Sequence, residues 1–174
     1  NGISIIGTSG IVKPFSSDAF IASIRREMQV AKALGSSHIV INSGAKSEKY
    51  VKQLYPDLIS NSFVHYGNFI GEAIKIAADL DMKKLTMGIM LGKAVKLAEG
   101  SLDTHSKKVV MNKAFLAEVA QEANCSQSTI DAIENITMAR QLWEIIPPTE
   151  NKCFAIIRQK CEEICLPLFP NGEL

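Results

Sequence analysis

Long hydrophobic runs are missing from this chain. No apolar stretch approaches the roughly 20 residues that a membrane-spanning helix needs, so no membrane partner is expected. A leader pattern is missing too, because Asn1 runs almost directly into an apolar strand pattern. The expectation is a cytoplasmic protein, and the abrupt start implies further sequence ahead of residue 1 in the full protein. An excess of one charge is absent: 19 Lys and Arg stand against 18 Asp and Glu, for a formal net charge of +1. Aromatic residues are few, with one Trp and three Tyr, and no basic run is interleaved with them. Both facts argue against a nucleic-acid partner.

Cysteine is present without the order that metal binding requires. Cys125, Cys153, Cys161 and Cys165 form no CxxC pair, and no His stands at zinc-ligand spacing from them. No protein-bound metal is expected, and three of the four fall on a helical apolar pattern with Phe154, Ile157, Ile164 and Leu168. They read as reduced, small hydrophobes of a cytosolic protein.

Two nucleotide signatures are missing as well. The dinucleotide fingerprint needs GxGxxG, whereas Gly7-Thr8-Ser9-Gly10 lacks its second and third glycines. A P-loop needs four residues between its glycines and a hydroxyl after the lysine. Gly88 and Gly92-Lys93-Ala94 have three and an alanine. No acidic residue for a ribose closes the expected second strand, which disfavours a dehydrogenase domain.

What is there is a repeated order of strand, glycine turn and helix. Ile3 to Ile6 is a short apolar run that stops at Gly7-Thr8-Ser9-Gly10, and a helical pattern follows Pro14. That helix spans about 16–34, capped by Ser16 or Ser17, with Phe20, Ile24, Met28 and Ala31 facing inward. Further strands are expected at 37–42, 61–66 and 84–91, ending at Ser43-Gly44, Gly67 and Gly92-Lys93. Helices are expected at 47–54, from Ile70 to near 81, and at 94–99. From about 112 onward only helices are expected, at 112–123, 126–135, 137–145 and 150–166.

This pattern predicts an α/β fold: a mostly parallel sheet of at least four strands, helices on both faces, and a helical C-terminal segment. Residues 1–110 form the α/β part and 111–174 a helical extension of the same domain. The glycine turns would then share the carboxyl edge of the sheet, where open α/β sheets bind ligands. Any one turn is most simply a tight connection. Four together, with polar Thr8, Ser9, Asn42, Ser43, Asn68 and Lys93, point to a pocket. A second polar concentration, Thr104-His105-Ser106, sits among Lys93, Lys96, Lys107 and Lys108. His105 there suits proton transfer or a solvated loop, and the lysines would favour an anionic ligand if the loop lines a pocket. His38 and His65 read as structural, and Met82, Met87, Met90 and Met111 as core.

The ordered set Gly2 to Val12, Pro14, Asn68-Phe69-Ile70-Gly71, Gly92-Lys93, Lys96-Leu97-Ala98, Gly100 and Thr104-His105-Ser106 resembles the CbiD family. These are the cobalt-precorrin-5B carbon-1 methyltransferases of anaerobic cobalamin biosynthesis. The resemblance covers residues 2 to about 110 closely and the helical tail more loosely. It implies S-adenosylmethionine as methyl donor and co-substrate, and a cobalt corrinoid intermediate as acceptor, converted to cobalt-precorrin-6A. It also implies an N-terminal domain that this chain lacks, whose absence bears on whether the chain is active alone. Homo-oligomerisation is left open. By the resemblance, Gly7, Thr8, Ser9, Gly10, Asn68 and Gly92 would contact the donor. Lys93, Thr104, His105 and Ser106 would face the acceptor, with His105 as the catalytic candidate. A non-catalytic ligand-binding or assembly domain built on the same sheet edge is the alternative.

Overall fold

The computed structural model of the chain describes residues 16–104 and 111–174. It opens with α1 (Ser17–Ala33), where the Ser16 hydroxyl accepts the backbone N–H of Ala19 at 3.3 Å. This is the N-cap expected from sequence, and Ile24, Met28 and Ala31 are the buried stripe. Then follow β1 (His38–Asn42), α2 (Ala45–Leu54), β2 (Phe63–His65), α3 (Ile70–Asp79), β3 (Lys84–Gly88) and α4 (Leu91–Ala98).

The three strands form a parallel sheet in the order β2-β1-β3, with Val40 opposite Phe63 on one side and Thr86 on the other. Alternation along the strands sends residues to two different cores. Val40 and Phe63 meet Val51 of α2 on one face. Ile39, Ile41, Val64 and Leu85 enter the larger core on the other face, with α1, α3 and α4. Helices therefore cover both faces. Three strands lie among the described residues. The further strand expected at 3–6, with its Gly7-Thr8-Ser9-Gly10 turn, lies outside them.

The expected strand at 84–91 stops at Gly88. Leu91, Ala94, Val95 and Ala98 recur at helical spacing, and three of them are buried. The apolar run that reads as one strand is the end of a strand joined to the start of a helix, an ambiguity that short apolar runs carry. Gly92 and Lys93 thus belong to the first turn of α4, where the Lys93 N–H donates to Met90 O at 2.8 Å.

The later chain is helical: α5 (Lys113–Glu122), α6 (Gln127–Asn135), α7 (Leu142–Ile145) and α8 (Lys152–Cys165). One helix was expected over 137–145. Instead a 3-10 turn (Ala139–Gln141) precedes α7, because the Gln141 side chain accepts the N–H groups of Thr137 and Met138 at 2.8 Å each. Leu116, Ile133, Leu142, Cys153 and Ile157 join the core of the sheet, so the helical segment and the sheet share one hydrophobic interior. The thiol of Cys161 on α8 donates to Ala94 O of α4 at 3.2 Å. Near the C-terminus, Leu85 N–H donates to Glu173 O at 2.8 Å, which pairs part of the outer edge of β3. No helix among the described residues is long and apolar enough to cross a membrane.

Candidate active site

The carboxyl end of β2 is built to bring a distant segment to it. Tyr66 is fully buried, and Gly67 turns the chain at φ +60°, a conformation that disfavours residues with a Cβ. Phe69 then forms an antiparallel bridge with Asp103. Gly71 N–H donates to Leu102 O at 3.3 Å, and Thr104 N–H donates to Asn68 O at 3.1 Å. The approach is close: a Cβ on Gly71 would lie 3.0 Å from that of Leu102. Thr104 is thereby fixed beside Asn68, 36 residues away in sequence by simple subtraction.

A cleft of ≈ 790 Å³ opens where β2 and β3 end. Asn68, Gly92, Lys93, Lys96 and Thr104 line it together with residues 136–139. The Lys93 ammonium donates to Gly67 O and lies 5.5 Å from the centroid of the Tyr66 ring. Burial, and after it the charge of Lys96, hold the Lys93 pKa below the ordinary lysine value. Burial also pushes the Tyr66 phenol up, against a smaller opposing effect of Ser43. Thr104 is 2% exposed, and its hydroxyl has no hydrogen-bond partner among the described residues. Among the described residues, no Asp or Glu lines the cleft. It therefore combines hydrogen-bonding groups with lysines, an arrangement suited to a ligand carrying negative charge.

The turn after β1 is different. Ser43 N–H donates to Ser47 Oγ at 2.9 Å, and Gly44 N–H donates to Asn42 Oδ1 at 3.2 Å. Its polar groups are satisfied internally, so it offers less to a ligand than the ends of β2 and β3.

Residues 103–173 match the model of the CbiD C-terminal domain. The chain is also similar along most of its length to proteins named cobalt-precorrin-5B C(1)-methyltransferase. The relative from Prosthecochloris aestuarii is 38% identical over 99% of this chain and 47% of its own length. For that from Geobacillus thermodenitrificans the figures are 40%, 94% and 44%, and for one from Leptospira interrogans 35%, 93% and 46%. The chain thus carries a match to the CbiD C-terminal domain and is similar over most of its length to these named methyltransferases. It spans about half the length of the curated relatives it matches. The helical tail, where motif reading is loosest, is the part that the CbiD C-terminal model covers. No solved structure matches the chain.

In this chain the cleft unites Asn68, Gly92, Lys93 and Thr104, four residues singled out in the sequence. The other six, Gly7, Thr8, Ser9, Gly10, His105 and Ser106, lie outside the described residues, as do Lys107 and Lys108. Sequence reasoning missed the rest of the lining. Met90, read as core, is 37% exposed, and Met90 and Met111 line the cleft with Met138 and Lys113. An apolar residue at a helix junction was the only available signal. His38 and His65 do carry structural contacts: His38 Nε2 lies 2.9 Å from Thr86 Oγ1, and His65 Nε2 lies 2.6 Å from Glu48 Oε2. The four cysteines are free and buried, and no three-residue His, Cys, Asp or Glu cluster suited to a metal occurs among the described residues.

Proposed function

We propose that this chain forms the α/β part of a methyltransferase that moves a methyl group from S-adenosylmethionine to carbon 1 of cobalt-precorrin-5B, giving cobalt-precorrin-6A. The observation that carries this reading is the carboxyl-edge cleft, lined by lysines and, among the described residues, free of carboxylates. The names of the relatives supply the reaction class, and the cleft supplies a physical reason for it: a corrinoid acceptor is edged with carboxylates.

The chemistry asks little covalent work of the protein. A ring carbon attacks the methyl group in line, the carbon–sulfur bond breaks as the new carbon–carbon bond forms, and the sulfur leaves as a neutral thioether. The positive charge of the sulfonium passes to the macrocycle. Rate enhancement then comes from holding donor and ring carbon in attack geometry and from excluding water.

The residues present fit a donor beside Asn68 and Thr104. Asn68 offers an amide, Gly92 an exposed helix-start backbone, and Thr104 a hydroxyl that has no hydrogen-bond partner among the described residues. By the family resemblance, Gly7, Thr8, Ser9 and Gly10 would also contact the donor. Lys93 and Lys96 would take acceptor carboxylates, and the family resemblance assigns His105 and Ser106 to the acceptor as well. The N-terminal domain carried by the family would close the acceptor side.

The test uses the intact protein. S-adenosylhomocysteine should raise its melting temperature, and mass spectrometry should detect one added methyl group on cobalt-precorrin-5B. An unchanged melting temperature together with an unmodified acceptor would defeat the reading.

A further inference from the structure

The loop after β1 leads to α2 on one face of the sheet, and the loop after β3 leads to α4 on the other. The carboxyl ends of these two adjacent strands therefore diverge, which is where open α/β sheets form a ligand crevice. A second cleft of ≈ 680 Å³ lies there. Met90, Gly92, Met138 and Ala139 line both it and the cleft of Lys93 and Thr104.

Two cations, Lys46 and Arg140, and two aromatics, Tyr50 and Trp143, distinguish this second cleft. The Trp143 indole stacks on Phe154, with centroids 4.2 Å apart and planes 21° apart, yet Trp143 remains 63% exposed. One ring face is thus backed by Phe154, and the other is open. Tyr50 is 53% exposed. Leaving two large aromatics in water beside exposed Met90 and Met138 makes an apolar patch of the kind that marks a binding surface. Lys46 and Arg140 make no ion pair among the described residues, and no carboxylate lines this cleft.

We propose that the second cleft is a subsite for the flat body of the acceptor macrocycle, with Trp143 and Tyr50 against its apolar face and Arg140 and Lys46 on its carboxylates. The proposal rests on the corrinoid reading above and extends it to residues that the family motifs do not include. Charge favours the acceptor here: a polycarboxylate macrocycle can pair with both Lys46 and Arg140, whereas the donor carries one carboxylate beside its sulfonium and ammonium. The planar guanidinium of Arg140 suits bidentate carboxylate binding. The acceptor then extends from Lys93 and Lys96 past Met90 and Met138 into this cleft. Gly92, which lines both clefts, stands where donor and acceptor meet.

Trp143 is the one tryptophan of these 174 residues, which makes it a reporter. The experiment compares fluorescence of the intact protein with that of Trp143→Phe, and the difference isolates the Trp143 signal. The probes are cobyrinic acid, a cobalt corrinoid with free side-chain carboxylates, cobinamide, the same ring with amidated side chains, and S-adenosylhomocysteine. Cobyrinic acid should quench Trp143. Arg140→Ala and Lys46→Ala, both at exposed positions, should each raise its Kd about tenfold, while cobinamide binding should be weaker and indifferent to both changes. Quenching by S-adenosylhomocysteine but not by cobyrinic acid would make the cleft a donor site and overturn the proposal. Cobyrinic acid binding, seen in its own absorbance, without change at Trp143 would overturn the subsite and leave the methyltransferase reading standing. Failure of every probe to bind would bring down both.

Discussion

The Lys93 ammonium lies 5.5 Å from the centroid of the buried Tyr66 ring and donates to the carbonyl of Gly67, the next residue along. A cation is thus held in place at the end of β2 before any ligand arrives. Preorganisation of this kind lowers the ordering cost of binding an anion. On the proposed reading, Lys93→Met should raise the KM for the acceptor about tenfold or more with a smaller effect on kcat, because the lost charge would meet bound carboxylates in ground and transition states alike. Steady-state kinetics with varied acceptor check this, and a loss confined to kcat would contradict it.

The same lysine sets a pH limit. Burial first, and Lys96 second, hold its pKa below the ordinary 10.5. Its charge is present below that lowered value and lost as pH rises through it, so acceptor affinity should fall on the alkaline side earlier than for an exposed lysine. Lys93→Arg keeps the charge at every accessible pH. It should move the alkaline limb upward, measured as the pH dependence of the acceptor Kd.

Thr104 separates fold from function. Its hydroxyl is buried and unpartnered among the described residues, so it contributes no protein hydrogen bond there. Removing an unsatisfied polar group is neutral or stabilising, whereas removing a ligand contact weakens binding. Thr104→Val should leave the melting temperature unchanged or raised and weaken S-adenosylhomocysteine about tenfold. A drop in melting temperature with binding intact would assign Thr104 to the fold.

Two glycines make opposite predictions. A Cβ on Gly88 would lie 2.6 Å from Val51 Cγ1, so Gly88→Ala forces repacking between β3 and α2 and should cost about 1–3 kcal/mol. A Cβ on Gly92 meets nothing closer than Ala139 at 3.7 Å, and Gly92 is helical. Gly92→Ala should stabilise α4 by about 0.5–1 kcal/mol in denaturant unfolding while narrowing both clefts and slowing methyl transfer.

Burial pushes the Cys153 and Cys161 thiols up to about 12 and Cys165 up to about 11, from 9.0. At pH 8 all three should resist a thiol reagent until the chain unfolds. Because the folded values are raised, the buried thiols favour the fold fully below the unfolded pKa. That advantage is lost as pH climbs from about 9 toward the folded values, so stability should decline over that window. Denaturant titrations at several pH values check this.

Local signals made much of the fold legible. Ser16 capping α1, the Ile24-Met28-Ala31 stripe and the apolar run of β1 are each decided by neighbours in sequence. The junction of β3 and α4 was misread because Ile89, Met90 and Leu91 are apolar in either conformation, and only the packing of Ala94, Val95 and Ala98 decides between them. Strand order was not legible, since it depends on which face each crossover takes. In the site, Asn68, Gly92, Lys93 and Thr104 stood out as polar or small residues at turns. Met138, Lys46 and Arg140 did not. Most of their neighbours in the clefts lie far away in the chain, as Lys46 does from Ile89 and Met138 from Met90, and no local pattern encodes that proximity.

The short pairing between 68–71 and 102–104 sets a rule for hybrids between relatives. The CbiD C-terminal model begins at residue 103, so a splice at that boundary would take the strap from one parent and the turn it binds from another. Gly71 and Leu102 are fitted to within 3.0 Å of an added Cβ, so even a modest mismatch there would displace Thr104. Recombination that respects 68–104 as a unit should yield working chimeras, and recombination at the model boundary should yield folded proteins with a broken cleft.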